Sequence, residues 1–190
     1  MGTDADPRSQ RERMLAGDLY RADDPELVAL ARRASVLVRR YNTTDAAAPE
    51  RHAALLRELL GAVGADVVVR PPFHCDYGTQ IRLGDRCYLN VNAVLLDVAP
   101  IEIGADVQIG PNVQLLTPHH PLAAEPRRAK WEAARPIAIG DNAWLGGGAI
   151  VLGGVTIGAD TVVGAGSVVT RDLPPGVLAL GNPARVHRRL

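Results

Sequence analysis

Aliphatic residues recur at every sixth position through much of the chain, and this period is the feature that most restricts the fold. The longest unbroken run is Ile139, Leu145, Val151, Ile157, Val163 and Val169. Shorter runs are Leu83, Leu89 and Leu95, and then Ile103, Ile109 and Leu115. A helix repeats its apolar face about every 3.6 residues and a strand every second residue, so neither gives this period. The pattern predicts a mainly β fold, a left-handed parallel β-helix of hexapeptide repeats with three repeats per turn.

The residues around these aliphatics fit a narrow coil. Glycine follows seven of them directly, at positions 84, 104, 110, 140, 146, 158 and 164. We expect these glycines at or near the corners, where a residue without a side chain is easiest to accommodate. Only 4% of the chain is aromatic, as a cramped interior requires. One turn cannot bury its own face, so we expect four or more stacked turns between Val67 and about Asp172.

The sixfold register is interrupted twice. A step of eight residues from Leu95 to Ile103 predicts a bulge in the coil. A step of 24 residues from Leu115 to Ile139 leaves room for an inserted loop at about 117–135. Long loops inside compact domains usually carry function, so this insertion is the first place to look for a site.

The chain divides into three predicted parts: an N-terminal α-helical cap at 1–65, the β-helix at 66–173, and a C-terminal tail at 174–190. The cap is predicted to contain helices at Arg8–Tyr20, Leu27–Tyr41 and Pro49–Val63. Their apolar sides would be Met14, Leu15 and Leu19 in the first helix and Leu55, Leu56, Leu59 and Leu60 in the third. Such a cap would cover the open first turn of the coil, whose free backbone edge otherwise invites pairing with another chain. The tail is expected to fold back as a strand or short helix.

Charge and cysteine usage exclude several classes of function. The chain has 21 basic and 21 acidic residues, which gives no electrostatic basis for binding nucleic acid or a membrane surface. No apolar stretch is long enough to span a bilayer, and no secretion signal is recognisable, so we expect cytoplasmic residence. Cys75 and Cys87 match no zinc-binding spacing and are expected to be buried structural thiols.

Two adjacent histidines open the inserted loop, in the segment Thr117-Pro118-His119-His120-Pro121. An imidazole is the usual general base for removing a proton from a hydroxyl. The alternative is that both histidines are merely exposed on a polar loop.

Polar residues cluster in the turns that precede the loop: Asp76, Tyr88, Asn90, Asn92 and Asp97. Asparagine is disfavoured in strands, so the two asparagines indicate either a binding pocket or an inward ladder between turns. Trp144 precedes Leu145-Gly146-Gly147-Gly148, where a bare backbone would let a thin ligand approach main-chain N–H groups. Simple corner geometry is the alternative explanation of these glycines.

The chain resembles the maltose/galactoside O-acetyltransferase family, which includes the nodulation acetyltransferases, within the hexapeptide-repeat acyltransferases. The matching stretches lie at 14–20, 72–78, 96–101, 109–113, 144–148, 157–158, 164–170 and 181–184. They include Met14-Leu-Ala-Gly-Asp-Leu-Tyr20 in the cap and Trp144-Leu-Gly-Gly-Gly148 in the coil. Together they cover nearly the whole chain.

The resemblance implies an acetyl-CoA-dependent transfer of an acetyl group to a sugar hydroxyl. His120 matches the catalytic histidine of the family. The implied acceptor-binding residues are Asp76, Tyr88 and Asn90. Asp97 is also assigned to the acceptor, as the carboxylate next to the apolar Val98. The implied coenzyme A-binding residues are Gly147, Ala165, Thr170, Arg171, Arg185 and Arg188. Trp144 is assigned to the same ligand because its flat ring lies beside the bare backbone of the glycines. Gly147 would offer its N–H to the developing oxyanion, and the two tail arginines would lie near the phosphates.

The resemblance also implies a homotrimer with active sites between subunits and a reaction that needs no metal. We expect direct transfer, because no Ser or Cys is placed for an acyl-enzyme intermediate. Two positions depart from the family pattern. His119 replaces a small polar residue. Val98 replaces an acidic residue of galactoside enzymes, which argues against a galactoside acceptor and leaves maltose, glucose, another hydroxylated sugar or the end of an oligosaccharide.

Two other functions compete with this interpretation. In a metal-dependent hydratase of the carbonic anhydrase kind, His74, His119 and His120 would bind zinc. Adjacent histidines point apart on an extended chain, however, and the cap and basic tail would be unexplained. A non-catalytic β-helix scaffold subunit is the other alternative.

Overall fold

The computed structural model describes residues 6–190, which contain four helices and twenty strands. The helices are α1 (Gln10–Leu15), α2 (Pro25–Asn42), α3 (Pro49–Leu59) and α4 (Ala124–Arg128). The first ten strands are β1 (Tyr20–Arg21), β2 (Ala62–Val63), β3 (Val68–Val69), β4 (Phe73–Cys75), β5 (Ile81–Leu83), β6 (Tyr88–Leu89), β7 (Ala93–Leu96), β8 (Ile101–Ile103), β9 (Gln108–Ile109) and β10 (Gln114–Leu116). The remaining ten are β11 (Pro118–His119), β12 (Trp131–Ala134), β13 (Ile137–Ile139), β14 (Trp144–Leu145), β15 (Ile150–Leu152), β16 (Thr156–Ile157), β17 (Val162–Val163), β18 (Val168–Val169), β19 (Val177–Gly181) and β20 (Ala184–Arg189).

Most of these strands form a parallel β-solenoid of about six turns, which confirms the predicted left-handed β-helix. Its three sides are parallel sheets. The first face contains β2, β5, β8, β13 and β16, the second contains β3, β6, β9, β14, β17 and β19, and the third contains β4, β7, β10, β15 and β18. The strand β20 then pairs antiparallel with β19 at the end of the second face.

The sixfold aliphatics form the interior of the solenoid. On the third face Leu95 pairs in register with Leu115, and Leu115 with Val151, and all three side chains are fully buried. Burying one such side chain stabilises a fold by about 1.5–3 kcal/mol. Stacking therefore supplies the stability that a single turn lacks.

The corners depend on a different residue from the one that the sequence suggested. The left-handed backbone conformation occurs three positions after most of the aliphatics, as at Asn92 (φ 60°) and Asn142 (φ 54°). The glycines directly after the aliphatics lie near the corners but serve another purpose. A Cβ on Gly84 would come within 2.6 Å of the carbonyl carbon of Gly104 in the next turn. Close stacking of turns, and not freedom in φ, therefore requires glycine there.

The second helix of the cap lies where it was predicted, whereas the third ends at Leu59 and not at Val63, because Ala62–Val63 form β2. Asp24 caps the N-terminus of α2 by accepting from the N–H of Glu26, and the four leucines expected on the third helix are buried. The first helix is shorter than predicted, because Gly17 turns the chain with φ 75° and Tyr20 enters a strand. Of its expected apolar side, Met14 is buried, whereas Leu15 and Leu19 are 50% and 38% exposed.

Strand pairing defines where the solenoid begins and how the tail continues it. Its first strand, β2, already pairs with β5, so the coil begins a few residues before 66. The tail first adds β19 to the second face and then reverses into β20, so it forms strands and no helix. No helix within residues 6–190 combines the length and apolarity needed to cross a bilayer.

Both cysteine thiols are withdrawn from solvent. Cys87 is buried and Cys75 is half-buried, and neither forms a disulfide. Burial raises the pKa of both thiols. This environment fits the structural role predicted for them, since the thiolate is the reactive form.

The inserted loop is more ordered than the sequence indicated. Its two ends form β11 and β12, which pair antiparallel, and β12 also pairs antiparallel with β1 of the cap. The helix α4 lies between them. Arg127 Nη1 donates hydrogen bonds to the carbonyl oxygens of Pro121 (3.0 Å) and Leu122 (2.8 Å), and these bonds fix the tip of the loop. The cap and the loop thus share one three-stranded sheet beside the solenoid.

Candidate active site

The three-stranded sheet of cap and loop aligns Tyr20, Glu132 and His120 in one row. Tyr20 pairs with Glu132 across β1 and β12, and His119 pairs with Ala133 across β11 and β12. One further step in this register sets His120 opposite Glu132. Directly opposed residues of neighbouring strands project from the same face of a sheet, so these three side chains meet and His119 projects from the other face.

The side chains of this row are in contact. The Tyr20 hydroxyl donates a hydrogen bond to Glu132 Oε1. Glu132 Oε2 lies 3.7 Å from His120 Nε2, which is an ion-pair distance once the imidazole is protonated. The Glu132 side chain is only 17% exposed, whereas that of His120 is 57% exposed. A carboxylate beside an imidazole orients the ring and stabilises the cation that forms when the ring accepts a proton.

The sequence did not predict Glu132. It lies in the inserted loop, which has no sixfold register, and its partner strand is about a hundred residues away in the cap. Only the pairing of β1 with β12 brings it to the histidine, and no local pattern signals that pairing.

His120 and Glu132 line a cavity of about 480 Å³ between the cap helix α2 and the third face. Asp76 is the other acidic residue of its wall. The apolar and aromatic lining consists of Ala22, Leu27, Val28, Ala31, Tyr77, Leu96, Val98 and Pro118. The cavity therefore joins a base and two carboxylates to an otherwise largely apolar wall, as expected of a small-molecule site.

Asp76 has an unusual environment in this cavity. Burial, followed by the charges of Asp97 and Glu132, raises its pKa to about 6. Desolvation and like charges both disfavour the ionised form of a carboxyl group. Perturbed carboxyl groups in a cavity are typical of functional sites.

Asp97 lies behind Asp76 and is fully buried. Its carboxylate accepts hydrogen bonds from the N–H groups of Asp76 (3.1 Å), Tyr77 (2.8 Å) and Gln80 (3.1 Å). Burial raises the pKa of this carboxyl group, and the backbone donors oppose that effect. The geometry does not support the expected direct contact of Asp97 with an acceptor, because its oxygens are enclosed and occupied; it holds the turn that presents Asp76.

A second group of predicted residues lies where the chain enters the third face. Tyr88 and Trp144 occupy equivalent places on the outside of the second face, two strands apart, and Trp144 is 55% exposed. Asn90 is half-buried, and its Oδ1 accepts from the N–H of Val91 at 2.8 Å. Asn92 is exposed at a left-handed corner, so the inward ladder that we considered for the asparagines does not form there.

Two main-chain donors are available beside Trp144. Gly147 and Ala165 occupy equivalent positions in successive turns, since Leu145 pairs with Val163. Within residues 6–190, neither of their N–H groups has a hydrogen-bond partner. Adjacent strands lie about 4.8 Å apart, so the two donors form a short ladder that suits an extended ligand with carbonyl groups.

The predicted site residues thus fall at two opposite edges of the third face. The entry edge, where the chain arrives from the second face, carries Tyr88, Asn90, Trp144, Gly147 and Ala165. The exit edge, where the chain leaves for the first face, carries Asp76, Asp97, His120, Thr170 and Arg171. The four residues of β7 alone span about 10 Å between these edges, so one chain does not bring them together. Arg185 and Arg188 are exposed on β20, at the end of the second face.

The histidines do not form a common centre. His74 is exposed on the outside of the third face, and His119 projects from the face of the loop sheet opposite His120. Burial, followed by the charges of Arg135 and His120, lowers the pKa of His119. In the described part of the chain, no three His, Cys, Asp or Glu side chains are grouped to hold a metal ion.

Comparisons with known proteins agree with this architecture. The maltose acetyltransferase hexapeptide capping motif matches residues 13–64, and the bacterial transferase hexapeptide (six repeats) matches residues 136–171. Nodulation protein L of Rhizobium meliloti (strain 1021) is 52% identical over 180 residues, which cover 95% of this chain and 98% of that protein. A maltose O-acetyltransferase from Clostridium difficile 630 superposes with a TM-score of 0.96 at 42% identity, over 97% of this chain and 99% of that one. The hexapeptide-repeat acetyltransferase VCA0836 of Vibrio cholerae O1 biovar eltor, crystallised with acetyl coenzyme A, superposes with a TM-score of 0.89 at 43% identity, over 96% and 99% of the two chains. These matches confirm the resemblance found in the sequence: the chain belongs to the hexapeptide-repeat acetyltransferases that carry the maltose acetyltransferase capping motif.

Proposed function

We propose that this protein transfers an acetyl group from acetyl-CoA to a hydroxyl group of a maltose- or glucose-like sugar, with His120 as the general base. The observation that carries the proposal is the pairing of His120 with Glu132 at 3.7 Å, in a cavity that also contains Asp76. An oriented imidazole in a cavity of this size suits the activation of a small hydroxylated acceptor.

The reaction needs no covalent enzyme intermediate. His120 takes the proton of the acceptor hydroxyl while the oxygen attacks the thioester carbonyl. The N–H of Gly147 stabilises the oxyanion of the tetrahedral intermediate. When that intermediate collapses, the thiolate of coenzyme A leaves and takes the proton from the imidazolium. Glu132 stabilises the imidazolium between these two steps.

Acetyl-CoA would bind along the entry edge. Its pantetheine amides would pair with the free N–H of Ala165, beside the exposed ring of Trp144. Its nucleotide and phosphate groups would bind to Arg185 and Arg188 and to Thr170 and Arg171 on the exit edge of a neighbouring copy, because guanidinium groups form strong charge-assisted hydrogen bonds to phosphate. The acetyl-CoA complex of the Vibrio cholerae relative supports this co-substrate.

A homotrimer would complete the site. Gly147 and His120 lie at opposite edges of the third face in one chain, yet the reaction needs both at one thioester. A closed ring of three copies sets the exit edge of each chain against the entry edge of the next. Each site would then take Asp76 and His120 from one subunit and Asn90, Trp144 and Gly147 from its neighbour.

The acceptor is expected to be a neutral sugar of the maltose or glucose kind. Val98 lines the cavity where the sequence resemblance implies an acidic residue in galactoside enzymes. An apolar side chain there cannot accept a hydrogen bond from a sugar hydroxyl, so it does not favour galactosides. Asp76 is the remaining carboxylate of the exit edge that is free to accept one.

The test is a panel of sugar acceptors with acetyl-CoA, followed by release of the free thiol. We expect turnover with maltose or glucose, and a loss of a hundredfold or more in His120→Ala, which is the order expected for a missing general base. His119→Ala is the matched control and should lose far less, because that side chain projects from the other face of the loop sheet. Near-normal turnover in His120→Ala would contradict the assignment, and stoichiometric metal in protein purified without added zinc would favour a hydratase.

A further inference from the structure

The residue that holds Glu132 comes from the helical cap and not from the loop or the solenoid. Tyr20 is fully buried in β1, and its hydroxyl donates to Glu132 Oε1. Of the two oxygens of Glu132, one is thus occupied by the cap and the other faces His120 Nε2. An otherwise mobile side chain is fixed in the orientation that serves the histidine.

Arg13 makes contacts at both strands next to this hydrogen bond. Arg13 Nε donates to the carbonyl oxygen of Leu19 at 2.9 Å, and the Arg13 guanidinium lies 5.1 Å from the centre of the Trp131 ring. A cation–π contact of this kind attracts the guanidinium group to the face of the ring. Leu19 directly precedes Tyr20, and Trp131 directly precedes Glu132. The two contacts of Arg13 therefore hold β1 and β12 together beside the hydrogen bond between Tyr20 and Glu132.

We propose that Tyr20 is a positioning residue for acetyl transfer, through which the cap fixes Glu132 against His120. This inference rests on the proposed function of His120. It assigns the capping segment a part in catalysis, in addition to covering the first turn of the solenoid.

The Tyr20 hydroxyl also weakens the effect of the Glu132 carboxylate charge on His120. Burial, followed by the hydrogen bond to Glu132, raises the pKa of Tyr20, so the phenol stays a donor throughout the working pH range. A donor spreads the negative charge of the carboxylate that it contacts. Without it, Glu132 would hold an imidazolium more strongly and the base would be free only at higher pH. The other titratable groups around the row are Asp76 and Tyr77 in the cavity wall, Asp97 behind them, and His119 next to His120. Of these, only Tyr77 loses a hydrogen-bond partner in the variant described next, because it also contacts the Tyr20 hydroxyl.

The test is Tyr20→Phe, which removes the hydroxyl and keeps the ring that fills the space. We expect kcat to fall about tenfold and the acid limb of the kcat/KM profile to move to higher pH, with the KM for acetyl-CoA unchanged. The NMR signal of the His120 imidazole can be assigned because it is absent from His120→Ala. In Tyr20→Phe the titration midpoint of this signal should also move to higher pH. This second readout needs no acceptor, so it remains informative if the proposed sugar transfer is not observed.

Tyr41→Phe is the matched control. Tyr41 is an equally buried cap tyrosine whose hydroxyl donates to the Val69 carbonyl oxygen, away from the cavity. Tyr41→Phe should lower the stability of the fold about as much as Tyr20→Phe does. It should leave the pH profile and the His120 titration unchanged. In a Glu132→Gln background, Tyr20→Phe should reduce kcat no further, because the effects of coupled residues are not additive. If the Tyr20 and Tyr41 variants behave alike in both pH measurements, Tyr20 is merely structural and the proposal is wrong.

Discussion

Asp76 makes the free energy of unfolding depend on pH. Its folded pKa of about 6 lies above the ordinary value of 3.8, so the folded state holds this proton more tightly than the unfolded state. The contribution to stability is therefore greatest at low pH and is lost as the pH rises through 6. From pH 5 to pH 7 the loss amounts to about 1 kcal/mol.

Asp76→Asn cannot ionise, so its free energy of unfolding relative to the wild type should rise by about that amount over this pH interval. Urea unfolding at several pH values measures the difference. Asp66→Asn is the control, since Asp66 is exposed at a left-handed corner that asparagine also tolerates. A constant difference between Asp76→Asn and the wild type from pH 5 to pH 7 would show that Asp76 is not the group responsible.

At the scale of the repeat, two kinds of glycine should respond differently to substitution. A Cβ on Gly140 would lie 2.5 Å from the N atom of Ala159, whereas a Cβ on Gly166 would meet nothing within 4 Å, although Gly166 has φ 69°. Gly140→Ala should therefore cost about 1–3 kcal/mol through steric strain. Gly166→Ala should cost about 1–2 kcal/mol through its backbone conformation.

Asparagine separates the two causes. Gly166→Asn should be nearly neutral, because Asn92, Asn112 and Asn142 already occupy the equivalent corner position. Gly140→Asn should be at least as harmful as Gly140→Ala, since its Cβ meets the same backbone. Thermal or urea unfolding ranks the four variants. Tolerance of asparagine at Gly140 would mean that the turns can separate and that close stacking is not the constraint.

The solenoid was predictable because its sequence pattern is local and repeated: each sixfold aliphatic from Leu83 to Val169 occupies the same kind of buried position. The α2 and α3 helices were predictable for a similar reason, since caps and apolar stripes lie within each segment. The sheet that joins Tyr20 to Glu132 was not, because β1 and β12 are short and distant in sequence. His120 could be proposed from its motif, but its carboxylate partner required the three-dimensional pairing.

For the assembly, the separation of the two edges underlies the proposal that active sites are shared between subunits. In the proposed trimer, a His120→Ala chain has an intact entry edge and an Asn90→Ala chain has an intact exit edge. A mixed trimer then contains one site built from both intact edges. With random mixing, about three quarters of trimers are mixed and one site in three is intact in each, so about a quarter of the wild-type activity should return.

Co-refolding the two variants in equal amounts and measuring thiol release, relative to each variant alone, tests this expectation. Mixing His120→Ala with Asp76→Ala is the control, because both changes damage the exit edge and no combination of those chains builds an intact site. Sedimentation should show trimers in every mixture. Recovery in the control, or none in the first mixture, would contradict sites shared between the two edges. A complete site within one chain would fail to complement in either mixture, so the pair of experiments measures directly whether the 10 Å or more across the third face is bridged by a neighbouring copy.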